Sequence, residues 1–299
     1  MNSNDVWPAL PWNDWEPTAT TLHMWTQIVG KTRLALSPLQ AHWWNVTLYV
    51  SPHGLTTGAM PLPGGGNLDI EFDFLEQQLR FRMSNGEHRS LPLKPQSVAE
   101  FYRLYLECLQ DLGVSVPIHP MPCELKEPIA FPEDTVHASY DPEFVQRFWK
   151  ILVRTTAIFQ RFSSKFIGKV SPTHFFWGSF DLAVTRFSGR RAPGRPGADN
   201  IQREAYSHEV ISAGFWPGNG GLGEAAFYAY AAPVPEGLDE AIISPAIASY
   251  NKDLGEFIMK YEAFRHEPSP DDSLMQFLET TYAAAADAAK WDRQALERA

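Results

Sequence analysis

Hydrophobic positions recur at two spacings along the chain, and the switches between them mark the elements. From about Thr20 to Leu36, Leu22, Trp25, Ile28 and Val29 fall at helical intervals; from Asp141 onward Phe144, Phe148, Trp149, Leu152 and Val153 do the same. Strict alternation then appears in Leu68-Asp-Ile-Glu-Phe-Asp-Phe74, which puts apolar side chains on one face and acidic ones on the other, as in a strand with one wet face. Leu79 to Met83 runs into Ser84-Asn85-Gly86-Glu87, and Asn-Gly between alternating segments predicts a tight hairpin. A helix opens at Ser97, where Glu100 completes a capping box, and closes near Gly113. Further strands are expected over Val46 to Val50, Phe180 to Thr185, Glu204 to Trp216 and Ala225 to Ala231. Further helices are expected over Ile247 to Phe264 and, rich in alanine, from Asp271 to Arg298. Asp271 or Asp272 can cap the last one.

These elements recur in the same order. Each long helix is followed by Ser-Pro, a histidine, aromatics and a strand: Ser37-Pro38 leads to His42-Trp43-Trp44, and Ser171-Pro172 to His174-Phe175-Phe176-Trp177. Trp25 to Val29 lies on Trp149 to Val153 without a gap. The expected fold class is therefore α+β, with two similar halves that are each an antiparallel sheet with flanking helices, plus a C-terminal helix. The division falls after the proline-rich stretch Val114 to Asp134, giving a first repeat over 1–134 and a second over 135–299.

Composition narrows the function classes. With 44% hydrophobic and 20% charged residues among 299, the chain can bury a core. A net charge of −10 repels a phosphate backbone, so no nucleic-acid partner is expected. Met1 to Pro17 carries Asp5, Asp14 and Glu16 without Lys or Arg, unlike a secretory signal, and no apolar run is long enough to span a bilayer. No membrane partner and a cytoplasmic location follow as expectations. Cys108 and Cys123 fit neither a disulfide framework nor a zinc motif.

Candidate chemistry concentrates in the second half. In a strand through Phe176 to Thr185, Trp177, Ser179, Asp181, Ala183 and Thr185 share one face, and Phe176, Gly178, Phe180, Leu182 and Val184 the other. The next strand puts Tyr206, His208, Val210 and Ser212 together. If the two pair, His208 and Asp181 can meet as a general-base couple, the candidate catalytic pair, although a half-buried His with an Asp is more often an ordinary satisfied polar pair. Arg186, Arg190, Arg191 and Arg195 surround Ser188-Gly189 and Pro193-Gly194, a setting for a carboxylate or phosphate, or for ion pairs with the protein's own acidic surface. The expected ligand site comprises His174, Trp177, Asp181, Arg186, Arg190, Arg191, Tyr206 and His208, holding a small anionic molecule. His42, His174, His208, Asp181 and Glu209 are metal-donor types, but His-Glu-x-x-His and short His or Cys spacings are absent, so no metal is expected. No cofactor is expected either: the glycine-rich Pro217 to Gly223 joins strand to strand and is not a P-loop. Gly-x-Ser-x-Gly is absent, and whether the protein is an enzyme stays open. Two alternatives accompany this reading. One is a non-enzymatic scaffold or interaction protein using the aromatic N-terminus, Trp7, Trp12 and Trp15, and an apolar sheet face. The other is a metal-dependent hydrolase.

At Tyr49-Val-Ser-Pro-His-Gly-Leu-Thr-Thr57, Leu91-Pro-Leu-Lys-Pro-Gln-Ser-Val-Ala-Glu-Phe-Tyr102, His137-Ala-Ser-Tyr-Asp-Pro142 and the two second-half stretches above, the chain resembles a family of uncharacterised bacterial proteins of about 300 residues, a domain of unknown function. The likeness runs from roughly Trp12 to Phe264. It implies a bacterial, soluble protein and carries no catalytic residue, substrate or cofactor onto any position.

Overall fold

The computed structural model describes residues 6–194 and 196–298; Arg195 lies outside the described residues. The fold is α+β with two antiparallel sheets. The first half supplies α1 (Trp12–Leu36), β1 (Tyr49–Val50), β2 (Gly54–Thr56), β3 (Met60–Pro61), β4 (Asn67–Asp73), β5 (Gln78–Met83), β6 (His88–Pro92) and α2 (Val98–Asp111). Its sheet runs β1-β2-β4-β5-β6, with β3 alongside β4. The second half supplies α3 (Pro142–Ser164), β7 (His174–Phe176), β8 (Asp181–Arg191), α4 (Asn200–Ala205), β9 (His208–Trp216), β10 (Ala226–Ala232), β11 (Ala248–Asn251), β12 (Glu256–Lys260), α5 (Tyr261–Phe264), α6 (Pro270–Ala288) and α7 (Arg293–Leu296). Its sheet runs β11-β12-β10-β9-β8-β7. No helix among the described residues is long and apolar enough to cross a membrane.

Local chemistry explains most boundaries. Ser97 Oγ accepts the Glu100 N–H at 3.2 Å and starts α2, whose buried Val98, Phe101, Tyr105 and Leu109 keep helical spacing. Asp141 accepts the Glu143 N–H at 2.8 Å and starts α3, with Pro142 in its first turn. Ser84 to Glu87 close the β5–β6 hairpin, with Gly86 at φ 93°.

Helix α1 is buried on every side: each residue from Thr21 to Gly30 is buried. A helix so enclosed must satisfy its polar side chains internally. Accordingly, Thr26 donates to the His23 carbonyl at 2.8 Å, Gln27 bonds both backbone groups of Cys123, and Thr32 bonds Tyr105 Oη at 2.5 Å. Its surroundings come from both halves, and one apolar core runs through the two. The sheets fall on either side of the 134/135 division, yet Leu48 and Phe175 exchange both backbone hydrogen bonds at 2.9 Å and tie one half to the other.

Five expectations need correction. The first helix starts at Trp12, not near Thr20, so the aromatic N-terminus is spent inside the body. Trp15 is fully buried and donates to the Pro217 carbonyl at 3.3 Å, while buried Trp7 donates to Asp271 Oδ1 at 3.0 Å. Those two rings are not available to a partner, while Trp12 stays partly exposed. Asp271 consequently serves Trp7 and Arg154 and does not cap α6. Of the stretch Ile247 to Phe264 only Tyr261–Phe264 is helical; the rest is the hairpin β11 and β12, because Asn251 and Gly255 (φ 71°) form a turn that a helix cannot contain. The last helix stops at Ala288, and the chain turns through Lys290 (φ 54°) into α7. Finally, the strands expected around Phe176 to Thr185 and from Glu204 are broken: Trp177 to Phe180 form the β7–β8 turn, and α4 occupies residues up to Ala205.

Candidate functional site: an aromatic cleft on the second sheet

Alternation along β8 sends Leu182, Val184 and Arg186 toward α3 and α6, and Asp181, Ala183, Thr185 and Phe187 toward the opposite face. Register extends that face across the sheet. Thr185 pairs with Ser212, Phe187 with Val210, and Gly214 with Tyr228, so β9 and β10 contribute Val210, Ser212, Tyr228 and Tyr230. Above this floor lies a cleft of about 630 Å³. Its walls are Trp43 and Trp44 from the loop after α1, Cys123 and Glu124 from the proline-rich segment, Trp177 from the β7–β8 turn, and α4, which is inserted between β8 and β9. The volume is that of a small-molecule pocket.

Asp181 stands at one end of the floor. Its carboxylate accepts hydrogen bonds from Ser179 Oγ and from Tyr228 Oη. Tyr228 belongs to β10, two strands away, and its phenol reaches β8 only by crossing Gly214 on β9. A Cβ at Gly214 would overlap that ring and the Leu182 carbonyl. Burial pushes the Asp181 carboxyl up to about 6, against the two hydroxyl donors that favour its ionised form. Burial and then the charge of Asp181 push Glu256 on β12 up to about 7, and the same two causes raise Glu124. A carboxyl so tuned can hold or exchange a proton near neutral pH.

Trp177 is fixed from both sides: its indole donates to the Val46 carbonyl at 2.6 Å and rests on Gly30 of α1, where any Cβ would overlap the ring. Backbone strain gathers here too. Of six non-glycine residues with positive φ, His42 (59°), Trp43 (62°) and Glu124 (58°) line the cleft, and Phe180 (59°) immediately precedes Asp181. Such conformations cost about 1–3 kcal/mol each and concentrate at functional sites.

The expected site residues separate. Asp181, Trp177 and Tyr206 line the cleft, and Tyr206 Oη bonds Tyr230 Oη at 3.0 Å. His208 does not meet Asp181. The register pairs Leu182 with Phe215 and Arg191 with His208, placing the two at opposite ends of the β8–β9 ladder. His208 Nδ1 instead contacts Ser207 Oγ at 3.1 Å, and its ring stands 5.7 Å from that of His42. His174 shares the floor's face but is buried beneath Trp44, Tyr49 and Phe176, with neither ring nitrogen hydrogen-bonded; burial, then Arg33, drops it to about 3.

The arginines are spent elsewhere. Arg186 is buried on the far face, stacked 3.4 Å over Phe162 and 4.3 Å over Tyr282, and desolvation lowers it to about 10. Arg190 bonds Glu209 at 2.6 Å and donates to the Ala289 and Lys290 carbonyls that end α6. Arg191 is exposed at the end of β8. None of the three lines the cleft, which removes the geometric basis for an anion held there by arginine. Of the other metal-donor types, Glu209 is occupied by Arg190, and His42 bonds Lys169 Nζ at 2.7 Å through Nε2 and the Glu204 and Ala205 carbonyls at 3.1 Å through Nδ1. Among the described residues no three His, Cys, Asp or Glu side chains converge to hold a metal ion.

The signature of this architecture extends along almost the whole chain: the model of a family of unknown function, DUF5996, matches residues 7–298. The chain belongs to the DUF5996 family. Its match reaches beyond the Trp12 to Phe264 span of the resemblance, taking in Trp7 and the C-terminal helices that the core requires. No curated protein and no solved structure matches the chain.

Sequence reasoning missed Trp44, Glu124, Gly214, Tyr228 and Tyr230. A signal existed for the tyrosines: in Ala226-Phe-Tyr-Ala-Tyr230 they alternate with Phe227 and Ala229, so they must share a face. No local signal places Glu124, which reaches the cleft from a proline-rich segment far along the chain.

Proposed function

We propose that the protein binds a small organic molecule in the cleft on the second sheet, with Asp181 as the polar group that receives it. The observation that carries this reading is the concentration of strained backbone at His42, Trp43, Glu124 and Phe180 around one cavity. Four unfavourable conformations in three segments far apart in the chain have no common purpose in core packing, whereas together they aim two tryptophans and two carboxylates into one space. The floor is aromatic and small-residued, which suits an apolar body, and Asp181 offers a single buried charge for orientation. A proton affinity near neutrality also equips Asp181 as a general acid or base toward a bound molecule.

Ala183 lies on the floor at 4% exposure, so Ala183→Phe fills the cleft without removing a polar group. Thermal-shift screening of a metabolite panel is expected to find compounds that raise the melting temperature of the wild type and not of folded Ala183→Phe. Shifts of equal size in both proteins would move binding away from this cleft.

A further inference from the structure

The charges around the cleft specify a class of ligand, an inference that rests on the small-molecule reading above. Asp181, Glu124 and Asp199 are among the lining residues, and among the described residues no Lys or Arg is. Asp199 is engaged locally, accepting the Gln202 N–H at 2.8 Å at the start of α4. Asp181, 4% exposed, is held by two hydroxyls and its own backbone N–H, and among the described residues no cation pairs with it or with Glu124. The nearby cations are held off. Lys169 is bonded to His42 and lies 5.1 Å over the Trp44 ring, and Lys31 stands 6.0 Å from the ring centres of Trp177 and Phe131.

A buried carboxylate without a counter-charge is costly, and a cation entering the cleft would relieve that cost. Aromatic faces reinforce the preference: Trp44, Phe176, Trp177 and Tyr228 all line the same space, and desolvated rings attract cations. An anion would meet like charge from two sides. We propose that the ligand is an organic cation, a protonated amine on an apolar or aromatic body, whose ammonium group is received by Asp181 while Glu124 stands at the mouth. Association forms no covalent bond, and the ammonium keeps its protons.

Three probes share one body and differ in their ends: 2-phenylethylamine, 2-phenylethanol and 3-phenylpropionate. Titrated calorimetrically at pH 8, the amine is expected to bind at least tenfold more tightly than the alcohol, and the propionate most weakly. Asp181→Asn should bring amine and alcohol within about twofold, and Glu124→Gln should shrink the preference. In the wild type the preference should also collapse at pH 5, where Asp181, faced by Glu124, Glu256 and Tyr228, is protonated while the amine remains charged. That series and Glu124→Gln, at the mouth of the cleft, decide the matter if Asp181→Asn does not fold. Alcohol binding that equals amine binding at pH 8 would overturn the cation class while leaving the cleft reading intact. A preference unchanged by pH and by Glu124→Gln would do the same. Failure of all three probes to bind, together with a metabolite panel that does not distinguish wild type from Ala183→Phe, would remove the cleft reading and this proposal with it.

Discussion

In the first sheet Asp69, Glu71 and Asp73 alternate along β4 and meet Arg80 and Arg82 on β5, whereas in the second sheet Asp181 stands on β8 among neutral donors, without a counter-charge. Arg82 pairs with Asp69 at 3.0 Å and with Glu71, and Arg80 pairs with Asp73 at 2.9 Å. Thr56 and Ser51 donate to the remaining oxygens of Asp69 and Glu71 at 2.6 Å. Burial works to raise Asp73, but the Glu76 N–H and Arg80 hold it below its ordinary value; burial of Asp181 wins and raises it. The contrast separates two uses of one residue type. A carboxylate closed by a cross-strand arginine is finished as structure, while one left without a counter-charge in a cavity remains able to receive something.

The comparison can be broken most forcefully at Gly214. Gly214→Val drives side-chain atoms into the Tyr228 ring and the Leu182 carbonyl, so equilibrium urea unfolding should show a loss of about 3 kcal/mol. A near-neutral result would mean that the Tyr228–Asp181 bond does not cross β9 as described. Asp181→Asn tests the missing counter-charge through pH. In the wild type the folded state holds this proton more tightly than the unfolded chain, between the ordinary 3.8 and about 6, so stability falls as the pH rises through that window. Asparagine cannot ionise. The variant should therefore gain on the wild type by up to about 3 kcal/mol between pH 4 and pH 8, measured by denaturant unfolding at each pH. A difference flat with pH would place the carboxylate in water. In the first sheet, Arg80→Met strands Asp73, whose side chain is only 2% exposed, and should cost about 2 kcal/mol. Arg82→Met should cost less than about 1 kcal/mol, because that guanidinium is half exposed; a larger loss would make the first sheet's ladder as sensitive as the cleft.

The first sheet was the more legible in the sequence, for the same physical reason. Hairpin register there follows from Asn85-Gly86 and from acidic and basic positions that alternate in step, so neighbouring residues carry the information. Alternation also put Asp181 on the correct face of β8, but it fixes a face and not a register. His208 was brought to Asp181 on parity alone, whereas the Leu182–Phe215 pairing sends it to the far end. Parity in fact opposed Arg186, which must share a face with Leu182 and Val184 and lies among Phe162, Phe166 and Tyr282. The β11–β12 hairpin was lost because Tyr250, Leu254, Phe257 and Tyr261 imitate helical spacing across the turn at Gly255. The cleft walls were beyond local reading, since Trp44, Glu124 and Trp177 are assembled by contacts such as Trp177 on Gly30 and on Val46.

Helix α1 has a consequence for how the chain comes into being. It is made before the segments that enclose it: His23 Nε2 meets the Gly178 carbonyl at 2.8 Å, Trp15 donates to the Pro217 carbonyl, and Trp7 just before it closes on Asp271. During synthesis Trp15 must wait unsheltered until Pro217 has emerged, and Trp7 until Asp271 has. High sequence separation of this kind slows folding and lengthens exposure to aggregation. Removing the segment around Asp271 would therefore strip Trp7, 264 residues earlier in the chain, of its hydrogen-bond acceptor.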